Sequence, residues 1–388
     1  MDRPRRRPRL LSAGTPKRLA ELSLPRLGEV LAKPGKGARL ARPAQRRPLH
    51  PFGVPLPLWG RRRIRPNSLR LLAVGVLALG AARADTVAVP LRALRWTAPG
   101  ADAVRILTRR PVECLAVPGD SEAAYRVEVG RAAFRDPLLL GGQAARAGVA
   151  CESCHRNGRT NPDFSFPGLS GTPGTADVTS FVFSTHRGDH VDDPRPIPDL
   201  GGPKAKLKVD QSPASPALRT FIHGLVVEEF EGAEPPRAVL EGLTAYVRAL
   251  TPAACAGGGW ERVTAQAAIA DALRAATAAR AALSHQDRPT ALVMIQAARA
   301  QLGDLAEHFD GPALAGERLQ LTRASFELAD IADAVRRADP ATDGRVAGWL
   351  KQAPEWRAAL LNAESRSLYD PGRLAAALAT GAPASRRP

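Results

Sequence analysis

Two thiols and an imidazole within five residues, Cys151-Glu152-Ser153-Cys154-His155, carry the most specific chemistry in this chain. Cys-x-x-Cys-His is the spacing at which a c-type haem is attached. Both sulfurs lie on one helical turn and reach the vinyl groups along one porphyrin edge, and the next imidazole falls beneath the iron as an axial ligand. The expectation is one covalent haem c, held by Cys151 and Cys154, with His155 as the proximal metal ligand and no catalytic residue assigned.

Two other uses of these residues compete. A thioredoxin-like Cys-x-x-Cys needs alternating β and α elements around it, and none is apparent. Zinc could draw on Cys151 and Cys154 together with His186 and His190, whose own spacing is finger-like. The 31 residues between Cys154 and His186 are far more than a finger uses, however, and His155 is left without a role.

The second axial position has fewer candidates. Met294 is the only methionine beyond Met1, and it falls in an apolar helical seam, where it reads as core. Histidine must therefore serve, or the position is open. His223 is the first candidate, because its segment, just ahead of a helix opening at Pro235-Pro236, resembles the one that supplies the distal ligand in mono-haem cytochromes c; His186 and then His190 follow. Imidazole on both faces gives a lower potential than methionine with histidine. His285 and His308 have no companion ligands and read as solvated or capping residues, and His50 lies in the leader. Glu228-Glu229 reads as a solvated pair before a turn. Arg195, Lys204, Lys206 and Lys208 are candidates for contact with haem propionates or a redox partner. Cys114 and Cys255 remain once haem takes two of the four cysteines. In an oxidising compartment they are candidates for a disulfide, the alternative being two buried free thiols.

The charge is unevenly spread. Residues 1–84 hold 20 basic and 3 acidic residues of the chain's 55 and 38, so the whole net charge of +17 sits there and the remainder balances at 35 of each. A basic chain would ordinarily point to nucleic acid, but this distribution removes that partner. Arg61 to Arg70, the apolar run Leu71–Ala81 and the small-x-small site Ala82-Arg83-Ala84 read as an export signal over 61–84. An apolar run this short does not span a bilayer, which takes about 20 residues. The Pro/Arg-rich residues 1–60 read as a disordered leader, or as lying upstream of a native start at a codon such as that of Val54. The expected mature chain, 85–388, has no integral membrane span and is periplasmic.

The elements that must position the motif follow from pattern. Residues 85–118 alternate weakly and fit one or two short strands or an extended arm. A helix opens at Ser121 and stops at Asp136-Pro137, and glycines from Gly141 to Gly148 lead into Cys151. From Arg156 to Pro216 proline and glycine recur, which predicts a long wrapped loop; enclosing a haem is one task for such a loop. Regularity returns over Leu218–Phe230, and Pro235-Pro236 starts a helix carrying Val239, Leu243, Tyr246, Val247 and Leu250. Beyond Gly257–Gly259, apolar spacing predicts helices near 262–284, from Pro289 to Phe309, through 321–335 and near 343–363. Together these form an antiparallel bundle of four or five.

Residues 120–255 resemble a c-type cytochrome domain. Gly130 with Phe134 resembles the first helix of mono-haem cytochromes c, and Gly242 to Leu250, with Tyr246, resembles the last helix that it crosses. Glycine lets two helix backbones approach and the rings fill the gap. More narrowly, Gly130–Gly142 followed by the haem motif is similar to one haem domain of bacterial di-haem cytochrome c peroxidases. Ser215-Pro216-Ala217-Leu218-Arg219 resembles a second element of those proteins. They carry two haem motifs, and this chain carries one.

The combined expectation is a mainly α protein: a cytochrome c-like haem domain with a long Pro/Gly-rich loop over 85–256, then an antiparallel α-helical bundle over 260–388. Its expected function is that of an exported mono-haem c-type cytochrome, passing electrons to redox partner proteins. A peroxidase-like oxidoreductase and a haem-based sensor are the alternatives.

Overall fold

The computed structural model describes residues 89–185, 188–202, 208–255 and 259–381, all within one compact unit. The leader, the export signal and His50 lie outside the described residues, as do His186, Lys204 and Lys206.

The molecule is mainly helical. An arm with a 3-10 turn at Arg92–Trp96 leads into α1 (Ala103–Thr108) and the short strand β1 (Arg109–Pro111). The alternation at Val104–Leu107, which fitted a short strand or an extended arm, is helical instead. Asp102 caps α1 by accepting from the Arg105 amide at 3.0 Å, and Ile106 and Leu107 turn inward. A good cap thus overrides a weak two-residue period. Next come α2 (Ser121–Phe134), capped by Asp120, then α3 (Gly142–Ala147) and α4 (Cys151–Cys154). The long loop after α4 carries a 3-10 turn at Arg156–Gly158 and the two-residue strands β2 (Thr175–Ala176) and β3 (Arg195–Pro196), which pair with each other. Helices α5 (Ala217–Gly224) and α6 (Arg237–Ala249) follow, and β4 (Trp260–Arg262) returns to pair antiparallel with β1.

Helices α2 and α6 cross at two glycines. A Cβ added to Gly130 would lie 1.9 Å from the carbonyl oxygen of Gly242, so no other residue fits without moving a backbone. One turn further along, Phe134 and Tyr246 fill the space with ring centroids 5.1 Å apart.

The C-terminal part is a four-helix bundle of α7 (Ala265–Ser284), α8 (Arg288–His308), α9 (Ala315–Arg336) and α10 (Thr342–Ala363), in which α7 and α9 each pack between α8 and α10. Buried alanines along α7, among them Ala272, Ala275, Ala276 and Ala279, let α8 approach closely. Met294 is fully buried in that seam. A fifth helix, α11 (Pro371–Gly381), leaves the bundle and packs beside α1, where Leu374 meets Leu91 and Leu107. The segments before α7 and the bundle share one continuous core, running from Val129, Phe134 and Tyr246 to Ile269, Met294 and Leu302. Among the described residues no helix is long and apolar enough to cross a membrane.

Candidate haem-attachment site

The motif lies on a turn that its own polar groups lock. Gly148, at φ 78°, ends α3 in the left-handed region where glycine is favoured, and redirects the chain into α4. Ser153 Oγ accepts from the Ala150 amide at 3.1 Å, and the His155 amide closes the turn on the Cys151 carbonyl at 2.8 Å. Asn161 then reaches back: its amide donates to the Cys154 carbonyl at 3.0 Å and its side chain to the Ser153 carbonyl at 2.8 Å. The carbonyls left over at the end of a one-turn helix are thereby satisfied.

Cys151 and Cys154 are free, half-buried thiols. Burial pushes the Cys151 thiol up to about 12 and raises that of Cys154 as well. Neither is the acidified thiolate that thiol–disulfide chemistry employs. His155 Nδ1 lies 3.0 Å from the carbonyl oxygen of Pro198. Burial, opposed by that hydrogen bond and by Asp199, holds the imidazole down to about 4, so it is neutral at pH 7. A ring whose Nδ1 proton is engaged by a backbone carbonyl keeps the Nε2 lone pair for a metal. Two free thiols and one oriented, neutral imidazole are a donor set that fits a covalently attached haem.

The long loop has a visible task here. Arg159 grips Asp199 through Nε at 2.8 and 3.0 Å, and Asp199 Oδ1 in turn accepts from the Gly201 and Gly202 amides. Leu200 donates to the Gly158 carbonyl, and Thr160 Oγ1 to that of Ile197. The Pro198 carbonyl is thus pinned from both sides against the imidazole.

Phe134 stands 6.3 Å from the His155 ring, centroid to centroid, with Tyr246 behind it. Tyr246 donates its hydroxyl proton to Glu113 at 2.7 Å. Burial alone would raise the Glu113 carboxyl, but Arg135, Arg131 and this hydrogen bond hold it down at about 2. Arg135 is 6 % exposed and contacts four segments. Its guanidinium lies 2.9 Å from Glu113, 3.0 Å from Asn157 Oδ1, 3.7 Å from Glu152 and 3.9 Å from Asp271 of α7. Burial opposes its charge, and these acids more than restore it.

The distal candidates fare differently. His223, on α5, pairs with Glu234 through Nε2 at 2.8 Å. His190 is exposed, at φ 61°, and His186 is outside the described residues. Among the described residues no three His, Cys, Asp or Glu side chains gather as a metal cage; His186, one of the four zinc candidates, lies outside them. Cys114 and Cys255 are joined in a disulfide, Cα to Cα 4.9 Å, tying the segment before α2 to the end of the segment after α6. Two sequence expectations need correction. Glu229 is buried rather than solvated, because it falls on the inward side of the turn at Leu225–Glu229. His308 is not solvated: it stacks on Tyr369 with centroids 4.1 Å apart, while its Nδ1 bonds the Asp304 carbonyl at the C-terminal end of its own helix. His285 is exposed and stands at the C-cap of α7, as expected, stacking on Tyr125 at 5.1 Å and neighbouring Glu122. Arg195 and Lys208 are exposed.

Sequence reasoning missed Arg135, Glu113, Pro198 and Asp199. Only Pro198-Asp199-Leu200-Gly201-Gly202 carried a local signal, a turn with an aspartate placed to accept from the glycine amides. The partners of Arg135 are up to 136 positions distant and leave no periodic trace. Comparison of the chain with protein-family models, curated proteins and solved structures finds no match.

Proposed function

We propose that this chain is an exported mono-haem c-type cytochrome that transfers electrons, with one haem c attached to Cys151 and Cys154 and His155 as the proximal ligand. The carrying observation is the Pro198 carbonyl on His155 Nδ1, which orients the ring and reserves Nε2. Bound there, the haem would supply one-electron Fe(III)/Fe(II) chemistry. The protein's part is to hold the thiols on one turn, keep the imidazole neutral and back it with Phe134 and Tyr246. The glycine crossing of α2 and α6 supports a cytochrome c-like domain, since the residues that carry the resemblance meet in space. The disulfide between Cys114 and Cys255 supports an oxidising compartment, the periplasm, and residues 61–84 supply the address. Redox proteins are the proposed partners.

A peroxidase-like oxidoreductase, or a haem-based sensor, is favoured by one observation. His223 already pairs with Glu234, and a sixth position without a protein ligand is what those functions need.

Protein matured in a periplasm that attaches c-type haem tests both. Intact mass and visible spectra, oxidised, reduced and with CO, are the measurements. A colourless protein with the mass of bare polypeptide overturns the proposal. A haem adduct whose reduced form ignores CO supports electron transfer, and CO binding favours the second function.

A further inference from the structure

Beside the attachment turn one buried guanidinium joins three carboxylates contributed by different parts of the chain. Arg135 stands at the end of α2. Glu113 precedes α2, Glu152 lies inside the Cys-x-x-Cys turn, and Asp271 comes from α7 of the bundle. Arg135 also bonds Asn157, whose amide donates to Glu152 Oε1 at 3.0 Å. It therefore holds both flanks of the turn, one residue after Cys151 and two after His155. Two contacts of the cluster are incomplete: Arg135 Nε and Glu152 Oε2 are buried without a hydrogen-bond partner. The bundle closes the site further through Gln301, which donates to the Arg135 carbonyl at 3.4 Å, and Gln296, which donates to Asp136 at 2.7 Å.

We infer that Arg135 is a positioning residue for the attachment turn and that Asp271, supplied by the bundle, sets the charge presented to it, so that the C-terminal bundle tunes the redox centre rather than merely extending the chain. This rests on the haem assignment above. Asp271 is 8 % exposed and also pairs with Arg274 of its own helix, which is more exposed. Charges in so sheltered a cluster act on a neighbouring redox group with little screening, whereas surface charges are screened within a Debye length, about 3 Å at 1 M salt.

The two charges of the α7 pair give opposite signs. Asp271→Asn removes a negative charge and raises the midpoint potential of the haem-loaded protein. Arg274→Gln removes a positive one and lowers it. The Asp271 shift persists in about 1 M salt, while Glu355→Gln, at an exposed site on α10, leaves the potential unchanged. Arg274 is accessible enough that its variant is expected to fold even if the Asp271 variant does not. Loaded, folded variants with the wild-type potential, or with shifts of the same sign, overturn the inference and leave the haem assignment standing. Wild-type protein that takes up no haem overturns the assignment itself, and the inference with it.

Discussion

His155 and Pro198 meet across 43 residues of sequence, the imidazole Nδ1 lying 3.0 Å from the proline carbonyl oxygen. The acceptor is backbone, so its position depends on what holds the loop. Asp199 holds it, through Arg159 and the amides of Gly201 and Gly202. Asp199→Ala should leave haem attachment intact while loosening the ring. The expected result is a shifted midpoint potential and a loss of about 1–3 kcal/mol in urea unfolding, the cost of leaving a buried polar group unpaired.

The two thiols are expected to act separately from the other cysteine pair. Cys151→Ala with Cys154→Ala should abolish the covalent adduct, read as an intact mass equal to bare polypeptide. Cys114→Ser with Cys255→Ser should keep the adduct and lower stability by about 2–5 kcal/mol, because the bridge closes a long loop in the unfolded chain.

Gly130 has no room for a side chain. Gly130→Ala places a Cβ against the Gly242 carbonyl, and the helices must part. The expected cost is about 3 kcal/mol or more, at the upper end of overpacking in a tight core. Thermal unfolding followed by circular dichroism measures it, and a melting temperature equal to wild type would contradict the crossing.

Glu113 makes stability depend on acid. Its carboxyl is held at about 2 in the folded state, against an ordinary value of 4.5. A depressed carboxyl stabilises the fold above its unfolded value and loses that contribution as pH falls through the folded one. The window is therefore about pH 4.5 down to 2, and the term is on the order of 3 kcal/mol. Glu113→Gln should flatten the wild-type decline over that window in urea titrations at stepped pH. It should also reduce stability at pH 7, where Arg131 and Arg135 would lose their partner.

The Cys-x-x-Cys-His spacing, the longer helices and the bundle were legible because each is local. Cys-x-x-Cys-His spans five residues, and the seam through Leu292, Ile295, Leu302 and Leu305 repeats within one helix. Proline and glycine after Arg156 marked the long loop, since those residues set or remove backbone constraints wherever they fall. The α1 segment was misread because two apolar alternations weigh less than an aspartate cap.

By itself, then, the sequence placed two thiols and an imidazole at haem-attachment spacing, marked the longer helices, and left Cys114 and Cys255 as a candidate pair. The tertiary structure decided what surrounds them: the Pro198 carbonyl on His155, Arg135 among Glu113, Glu152 and Asp271, the burial of Glu229, and the ion pair that occupies His223. The physical reason is range. Helix periodicity and attachment spacing act over a few residues, whereas a buried charge is partnered by whichever segments packing delivers, at separations that no local pattern encodes.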